Sequence, residues 1–256
     1  MSKSIHVFCG IDGHIPDLTT AIKSARQVFP KDDVAVGNFY SDKKQKNLKE
    51  FCRDQGIVFK EKGQPFFRGS GHRICASEII GMIQLSKAFY DDGYTEVFLM
   101  HADTIIYRDY KSYFRQKMQD NWAAICPLIN FLNPRENIAA LWERVSSLNS
   151  NQIEKSSSAR LTQSAVIFNP NFIKIVYDNY TEGSLGDYFS TYWSASSIYG
   201  DCALFDLNHF GFKINPILLP ISQELSWIAP KTTAENLLEK FTDFTYIHKG
   251  ASYDPS

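Results

Sequence analysis

Three short stretches carry the residue types that do chemistry. In VFLMHADT, residues Val97 to Thr104, a buried-looking apolar run ends in His101, Ala102 and Asp103. In GDCALF, Gly200 to Phe205, Asp201 enters the first turn of a helical pattern. In YIHKG, Tyr246 to Gly250, His248 and Lys249 stand side by side. A carboxylate and an imidazole two residues apart suit a divalent cation, because hard cations want oxygen and Mn²⁺ also accepts imidazole nitrogen. Each stretch has a plainer reading. Asp103 and Asp201 are also good helix N-caps, for Ile105 onward and for Cys202 to Leu204, and His248 would serve equally as an exposed tail histidine.

Position decides between these readings, and the hydrophobic pattern supplies it. Ile5–Phe8, Val34–Tyr40, Ile57–Lys60 and Thr95–Met100 read as strands. Between them Pro16–Phe29, the lysine-rich Lys43–Gln55 and Cys75–Asp91 read as helices, the first with Pro16 near its first turn. Strand–helix repetition of this kind implies an α/β fold with a mostly parallel sheet flanked by helices. Ligands of such sheets bind beyond the carboxyl ends of the strands, which is where His101, Ala102 and Asp103 stand. Further along, Tyr107–Gln119, Asn133–Leu148, Phe172–Asn179, Gly200–Phe210 and Glu235–Phe241 are expected as helices. Trp122–Ile129, Ser164–Phe168 and a final Phe212–Leu218 are expected as strands, and NSNQIEKSSSARLTQ, ending at Gln163, as a polar surface loop.

The bulk numbers exclude several classes. A chain of 256 residues with 44% hydrophobic content can bury one sizeable core. A net charge of −1 gives no basic footprint for nucleic acid. Five cysteines, an odd count without C-x-x-C spacing, argue for reduced, buried thiols. No apolar run reaches the roughly 18 residues of a membrane helix, and MSKSIHVFCG leads straight into a strand with no signal peptide. A single cytoplasmic domain over residues 1–256 is therefore expected. The Lys43, Lys44, Lys46, Lys49 cluster is either a solvated face or a peripheral contact with anionic lipid.

Taken together, VFLMHADT after the fourth strand, GDCALFDLNHFGFKINP and the terminal IHKGASY resemble a nucleotide-sugar glycosyltransferase of the GT-A fold, of the bacterial, family-2-like kind. The similarity spans nearly the whole chain as an order of elements. It implies a nucleotide-binding half, 1–104, and an acceptor-binding half, 105–256. In the family a D-x-D motif follows the fourth strand. Here His101 replaces its first Asp, and Asp103 matches the acid that contacts the divalent metal. His248 matches a late histidine that some members use as a further metal ligand. Asp201 matches the catalytic base of inverting members. The implied cofactor is Mn²⁺ or Mg²⁺. The implied partners are a nucleotide-sugar donor, with UDP as the expected nucleotide, and a glycan or lipid-linked glycan acceptor, as in surface polysaccharide or lipopolysaccharide synthesis.

Other residues fit the same picture. Cys9, Gly10 and Asp12 follow the first strand, where topology puts the nucleoside; no G-x-G-x-x-G is present. Asp42 either binds base or ribose or caps the lysine-rich helix. Arg68, His72 and Arg73 lie in RGSGHR, ahead of a helix, offering backbone N–H groups and guanidinium groups to an anion; the plainer reading is a solvated loop. The resemblance sets this loop, Ala102 and Lys249 near the donor diphosphate. His101 is a second metal ligand, a ribose partner, or a sign of weakened metal dependence. Tyr192, Trp193 and Tyr199 are the candidate acceptor wall, or plain core aromatics.

Three rival functions remain. HADTIIYRDYKSYF also resembles the metal segment of retaining glycosyltransferases, in which Asp201 would position sugar or acceptor without acting as base. A sugar-1-phosphate nucleotidyltransferase would want a basic glycine-rich loop after the first strand, and CGIDGHIPD lacks one. A non-catalytic nucleotide-binding module would keep the fold without the transfer.

Overall fold

The computed structural model describes residues 3–38, 45–61, 75–118, 121–130, 132–133, 136–162, 164–179, 200–210, 213–217, 221–222 and 245–248. Four parallel strands build its first half: β1 (Ser4–Cys9), β2 (Asp33–Asn38), β3 (Val58–Glu61) and β4 (Glu96–His101). Helices α1 (Ile15–Val28), α2 (Lys46–Asp54) and α3 (Cys75–Asp91) connect them in turn. Strand order is β3-β2-β1-β4. The chain thus winds outward from β1 to β3 and then crosses back to lay β4 on the other side of β1. That reversal opens a crevice beyond the ends of β1 and β4, the place where open α/β sheets take ligands.

The two faces of the sheet are covered by different helices. Leu18, Ala21, Ile22 and Ala25 of α1, with Leu48 and Cys52 of α2, pack with Phe8, Val36, Phe98 and Met100. Ile79, Ile80, Ile83 and Leu85 of α3 pack with Ile5, Val7, Val97 and Leu99 on the opposite face. Successive strand residues alternate between the faces, as the two-residue strand period requires. Gly37 in β2 lets α3 approach, because a Cβ there would meet Leu85 Cδ1 at 2.6 Å.

The second half continues the sheet with mixed direction. Its strands are β5 (Thr104–Ile106), β6 (Trp122–Asn130), β7 (Ala159–Leu161), β8 (Ala165–Phe168) and β9 (Lys213–Ile217). The order runs on from β4 as β8-β6-β7. β8 is antiparallel to both β4 and β6, while β9 pairs parallel to β6. β10 (Ile221–Ser222), β11 (Tyr246–His248) and β5 form a separate small sheet. The helices are α4 (Lys111–Gln116), α5 (Ile138–Val145), α6 (Ser150–Ser156), α7 (Pro170–Asn179) and α8 (Gly200–Ala203), the last running into a 3-10 helix, Leu204–Phe210.

Several expected elements change. The helix expected over 107–119 is only α4. Thr104–Ile106, β-branched throughout, pair with β11 instead, and Asp109 accepts the Lys111 N–H at 2.9 Å just ahead of the helix. The helix expected from Asn133 begins at Ile138, behind Asn137, whose side chain accepts from the Ala139 and Ala140 N–H groups. The expected loop of 149–163 contains α6 and β7. Asn149 and Gln152 form a reciprocal capping box there, a signal present in the sequence as Asn-x-x-Gln. β9 is not the final strand, since β10 and β11 follow it. The helix expected over 235–241 lies outside the described residues.

Four cysteines, Cys9, Cys52, Cys126 and Cys202, are buried, as expected, and none of these four is in a disulfide. Burial pushes the Cys52 thiol up to about 11 and the Cys126 thiol higher still. No helix among the described residues is long and apolar enough to cross a membrane.

Candidate functional site

The site grows from the carboxyl ends of β1 and β4. Cys9 lies directly beside His101 in the parallel ladder. One residue on, the Gly10 N–H donates to the Gly37 carbonyl at 3.0 Å, so the chain leaves β1 tied to β2. Glycine leaves space there. A Cβ at Gly10 would meet Ala102 Cβ at 3.1 Å and Leu18 Cδ1 at 3.2 Å. The absent side chain lets the turn after β4 close onto the end of β1.

That turn carries Ala102 and Asp103, which keep 4% and 5% of their surface exposed. His101 is half-buried. Alternation with Val97 and Leu99, which belong to the α3-side core, puts His101 on the α3 face. Asp103 Oδ2 and His101 Nε2 are both closed off from solvent. The helix-cap reading of Asp103 does not hold, because the residues after it form strand β5. β11 lies antiparallel to β5 with residue 248 directly opposite Thr104. His248 therefore belongs to a paired strand, one position from Asp103 in the register, and not to a free tail.

Asp12 lies in the 3-10 turn Asp12–His14 that follows β1. Its Oδ1 accepts the Leu48 N–H at 2.8 Å, and its own N–H donates to Gln45 Oε1 at 2.7 Å. The carboxylate thereby closes the first turn of α2, where negative charge and an acceptor are both favourable. Asn38, fully buried at the end of β2, reaches Glu61 at the end of β3 at 3.3 Å.

Asp201 sits in the first turn of α8, inside the helix and not at its cap. α8 packs on α3. The buried Cys126 thiol in β6 is raised first by burial and then by the Asp201 carboxylate nearby. Asp201 and His101 therefore occupy the same side of the sheet. β6 is separated from β4 by β8, a span of about 10 Å at the usual strand spacing.

The structure thus gathers Cys9, Gly10, His101, Ala102, Asp103 and the backbone of His248 at one crevice. Asp12 stands at its edge on a structural duty, and Asp201 stands two strands away. Asp42, Arg68, His72, Arg73, Lys249, Tyr192, Trp193 and Tyr199 lie outside the described residues. Among the described residues no three His, Cys, Asp or Glu side chains form a group that could hold a metal ion. Asp103 and the backbone of residue 248 stand one register position apart, and carboxylate and imidazole are ligand types that a divalent cation such as Mn²⁺ accepts.

The sequence reading missed a hydroxyl cluster beside this crevice. Thr104 Oγ1 donates to the Ser164 carbonyl at 3.1 Å, Thr162 Oγ1 donates to Ser164 Oγ at 2.9 Å, and the Ser164 and Tyr246 hydroxyls meet at 3.1 Å. These residues are far apart in sequence and carry no local signal. Only the antiparallel insertion of β8 beside β4 brings them together.

No family model and no curated protein sequence matches the chain. Solved structures do. A galactosyltransferase, LgtC, solved with donor and acceptor sugar analogs, aligns over 95% of this chain and 86% of its own at 12% identity, with a TM-score of 0.56. Mouse xyloside xylosyltransferase 1 aligns over 96% and 97% at 10% identity, with a TM-score of 0.51. The bifunctional glycosyltransferase WbbM aligns over 98% of this chain and 46% of its own at 10% identity, with a TM-score of 0.55. The strand order, the crevice between β1 and β4, and these likenesses agree on one architecture: the chain has the GT-A fold of nucleotide-diphospho-sugar glycosyltransferases.

Proposed function

We propose that this chain is a glycosyltransferase that moves a sugar from a nucleotide-diphosphate donor, a UDP-sugar, to a glycan or glycolipid acceptor. The observation that carries the reading is Asp103. It is a nearly buried carboxylate in the turn after β4, against Gly10 at the topological reversal, with residue 248 one register position away. In this reading residues 1–104 receive the nucleotide and residues 105–256 the acceptor, within one domain.

Asp103, His248 and His101 are the residues we assign to Mn²⁺ or Mg²⁺. Such an ion, when bound, supplies positive charge to the diphosphate as the glycosidic bond breaks. Cys9, Gly10 and Ala102 shape the floor of the donor site by their backbone and small bulk. Lys249, Arg68, His72 and Arg73 are assigned to the donor phosphates, and Tyr192, Trp193 and Tyr199 to the acceptor. Asp201 is assigned as the base that takes the proton of the acceptor hydroxyl as it attacks the anomeric carbon. A glycan or lipid-linked glycan is the assigned acceptor, and peripheral association with the inner face of a membrane is part of the same proposal.

The test is calorimetry with UDP, GDP, CDP and UDP-sugars, with and without Mn²⁺, on the wild type and on Asp103→Ala. Metal-dependent binding lost in the variant supports the reading. Binding indifferent to both metal and Asp103 overturns the metal assignment, and binding of no nucleotide overturns the function.

One observation favours a second reading. Asp201 neighbours Cys126, which lies in the middle of β6, two strands from β4. That suits a retaining transferase in which Asp201 positions sugar or acceptor. NMR of the first-formed anomer separates the two outcomes.

A further inference from the structure

Two segments of the proposed metal site arrive from distant parts of the chain. Asp103 comes with β5 and His248 with β11, and both strands belong to the small sheet. That sheet is slight. β11 has only three residues, paired to β5 and to the two-residue β10. Strands this short hold their position weakly by backbone pairing alone. The Tyr107 and Arg108 N–H groups add donors to the Thr245 carbonyl, at 2.9 and 3.0 Å.

The link to the main sheet passes through Ser164, the residue just before β8. Its carbonyl accepts from Thr104 Oγ1, the residue that follows Asp103. Its hydroxyl meets the Tyr246 hydroxyl, two residues before His248. One buried residue just before β8 is therefore bonded to β5, which follows Asp103, and to β11, which carries residue 248. Thr162 Oγ1 steadies it from behind, donating to Ser164 Oγ and accepting the Ser164 N–H at 3.2 Å. Ser164, Tyr246 and Thr104 are all buried, and Tyr246 sits edge-on to the buried Tyr110 ring with centroids 6.4 Å apart. The Tyr246 hydroxyl thus has little freedom to turn elsewhere.

We infer that Ser164 and Tyr246 are positioning residues that fix residue 248 relative to Asp103, so that the hydroxyl pair sets the metal affinity of the site without touching the metal. The inference rests on the reading of Asp103 and His248 as ligands. Its physical basis is that ligand groups must be held to within a fraction of an ångström, and that residues behind the ligands supply that constraint. Each hydroxyl can be deleted without changing ring or backbone volume, and the pairing of β11 with β5 stays available in the variants.

The experiment is a double-mutant cycle read by Mn²⁺ binding, followed by electron paramagnetic resonance of the free ion, with and without UDP. The proteins are wild type, Tyr246→Phe, Ser164→Ala, His248→Ala, and Tyr246→Phe combined with His248→Ala. Thermal unfolding of each is recorded alongside. The expected result is that Tyr246→Phe and Ser164→Ala each weaken Mn²⁺ binding roughly 10-fold, while Tyr246→Phe has no further effect once His248 is gone. Equal weakening in both backgrounds would mean general loosening, and overturns the inference. Unchanged Mn²⁺ affinity in Tyr246→Phe and Ser164→Ala, beside a loss in His248→Ala, also overturns it while leaving the metal reading intact. If the wild type binds no Mn²⁺, or His248→Ala binds it equally well, the metal reading fails and the inference fails with it. Should Tyr246→Phe unfold, Ser164→Ala carries the same cycle with His248→Ala.

Discussion

At the scale of single residues, the crevice depends on what is small as much as on what is charged. A methyl group at Gly10 would crowd Ala102 and Leu18, at 3.1 and 3.2 Å. Gly10→Ala should force the turn after β4 away from β1, at a cost of about 1–3 kcal/mol for an overpacked contact. Urea unfolding checks the stability. Nucleotide titration of the folded variant should show weaker binding, because Asp103 moves with that turn. Asp201 makes a separate prediction. If it is the base, Asp201→Ala lowers kcat by roughly 100-fold or more while donor binding stays unchanged. Near-normal turnover of a defined acceptor removes the assignment. The charged residues were legible in the sequence because an acid at the end of an apolar run is unusual. The role of Asp12 was not, since its partner Leu48 is 36 residues away. The same holds for Ser164 and Tyr246, which meet across 82 residues.

At the scale of elements, local signals gave the first half of the chain and much of the second, including β6, β8, α7, β9 and the helical run from Gly200 to Phe210, but missed β5, α6 and β7. β1 to β4 and α1 to α3 fall within a few residues of their periodic patterns. The short strands β5 and β11 needed partners to decide them. Thr104–Ile106 became a strand because β11 lies alongside, and YIH reads as a strand between β5 and β10. α2 shows how an element borrows its ends. Its N-cap residue, Gln45, makes no side-chain cap bond, and Asp12 accepts the Leu48 N–H instead. Asp12→Ala should therefore cost about 1 kcal/mol, as the loss of a cap does. Hydrogen exchange should locate the damage, with the Leu48 amide exchanging faster while the amides of α3 are unaffected.

At the scale of the whole molecule, a buried polar network ties β1 to the start of β2 and to α4. His6 stacks between Phe29 and Phe98 and joins Asp32 at 2.8 Å through Nε2. Its Nδ1 meets the Tyr110 hydroxyl, and Lys111 also pairs with Asp32. The tautomer that satisfies both contacts carries its proton on Nε2. Burial lowers the His6 pKa below its ordinary 6.5, against the opposing pull of Asp32. Burial alone would raise Asp32, but its hydrogen bonds to His6 and Lys111 hold it below 3.8. The signs follow. An unfolded chain takes up a proton at His6 near pH 6.5 while the folded chain stays neutral there, so stability is full above that pH and falls as pH drops below it. Asp32 adds a second loss below its unfolded value of 3.8, as pH falls towards its folded one. Unfolding free energy should decline between pH 7 and 5 with a His6 share of at most about 1.4 kcal/mol per pH unit. His6→Gln should flatten that part of the slope in pH-dependent urea unfolding. The sequence by itself determined the repeated strand–helix units, the near-neutral charge, and the strand-end position of His101 and Asp103. These are consequences of local periodicity and composition, which need no partner. Tertiary structure alone decided the reversal of strand order at β1 and β4, the antiparallel insertion of β8, and the meeting of Asp103 with the strand of His248. Those depend on pairing between segments up to 140 or so residues apart, and no local pattern specifies which edge a strand will find.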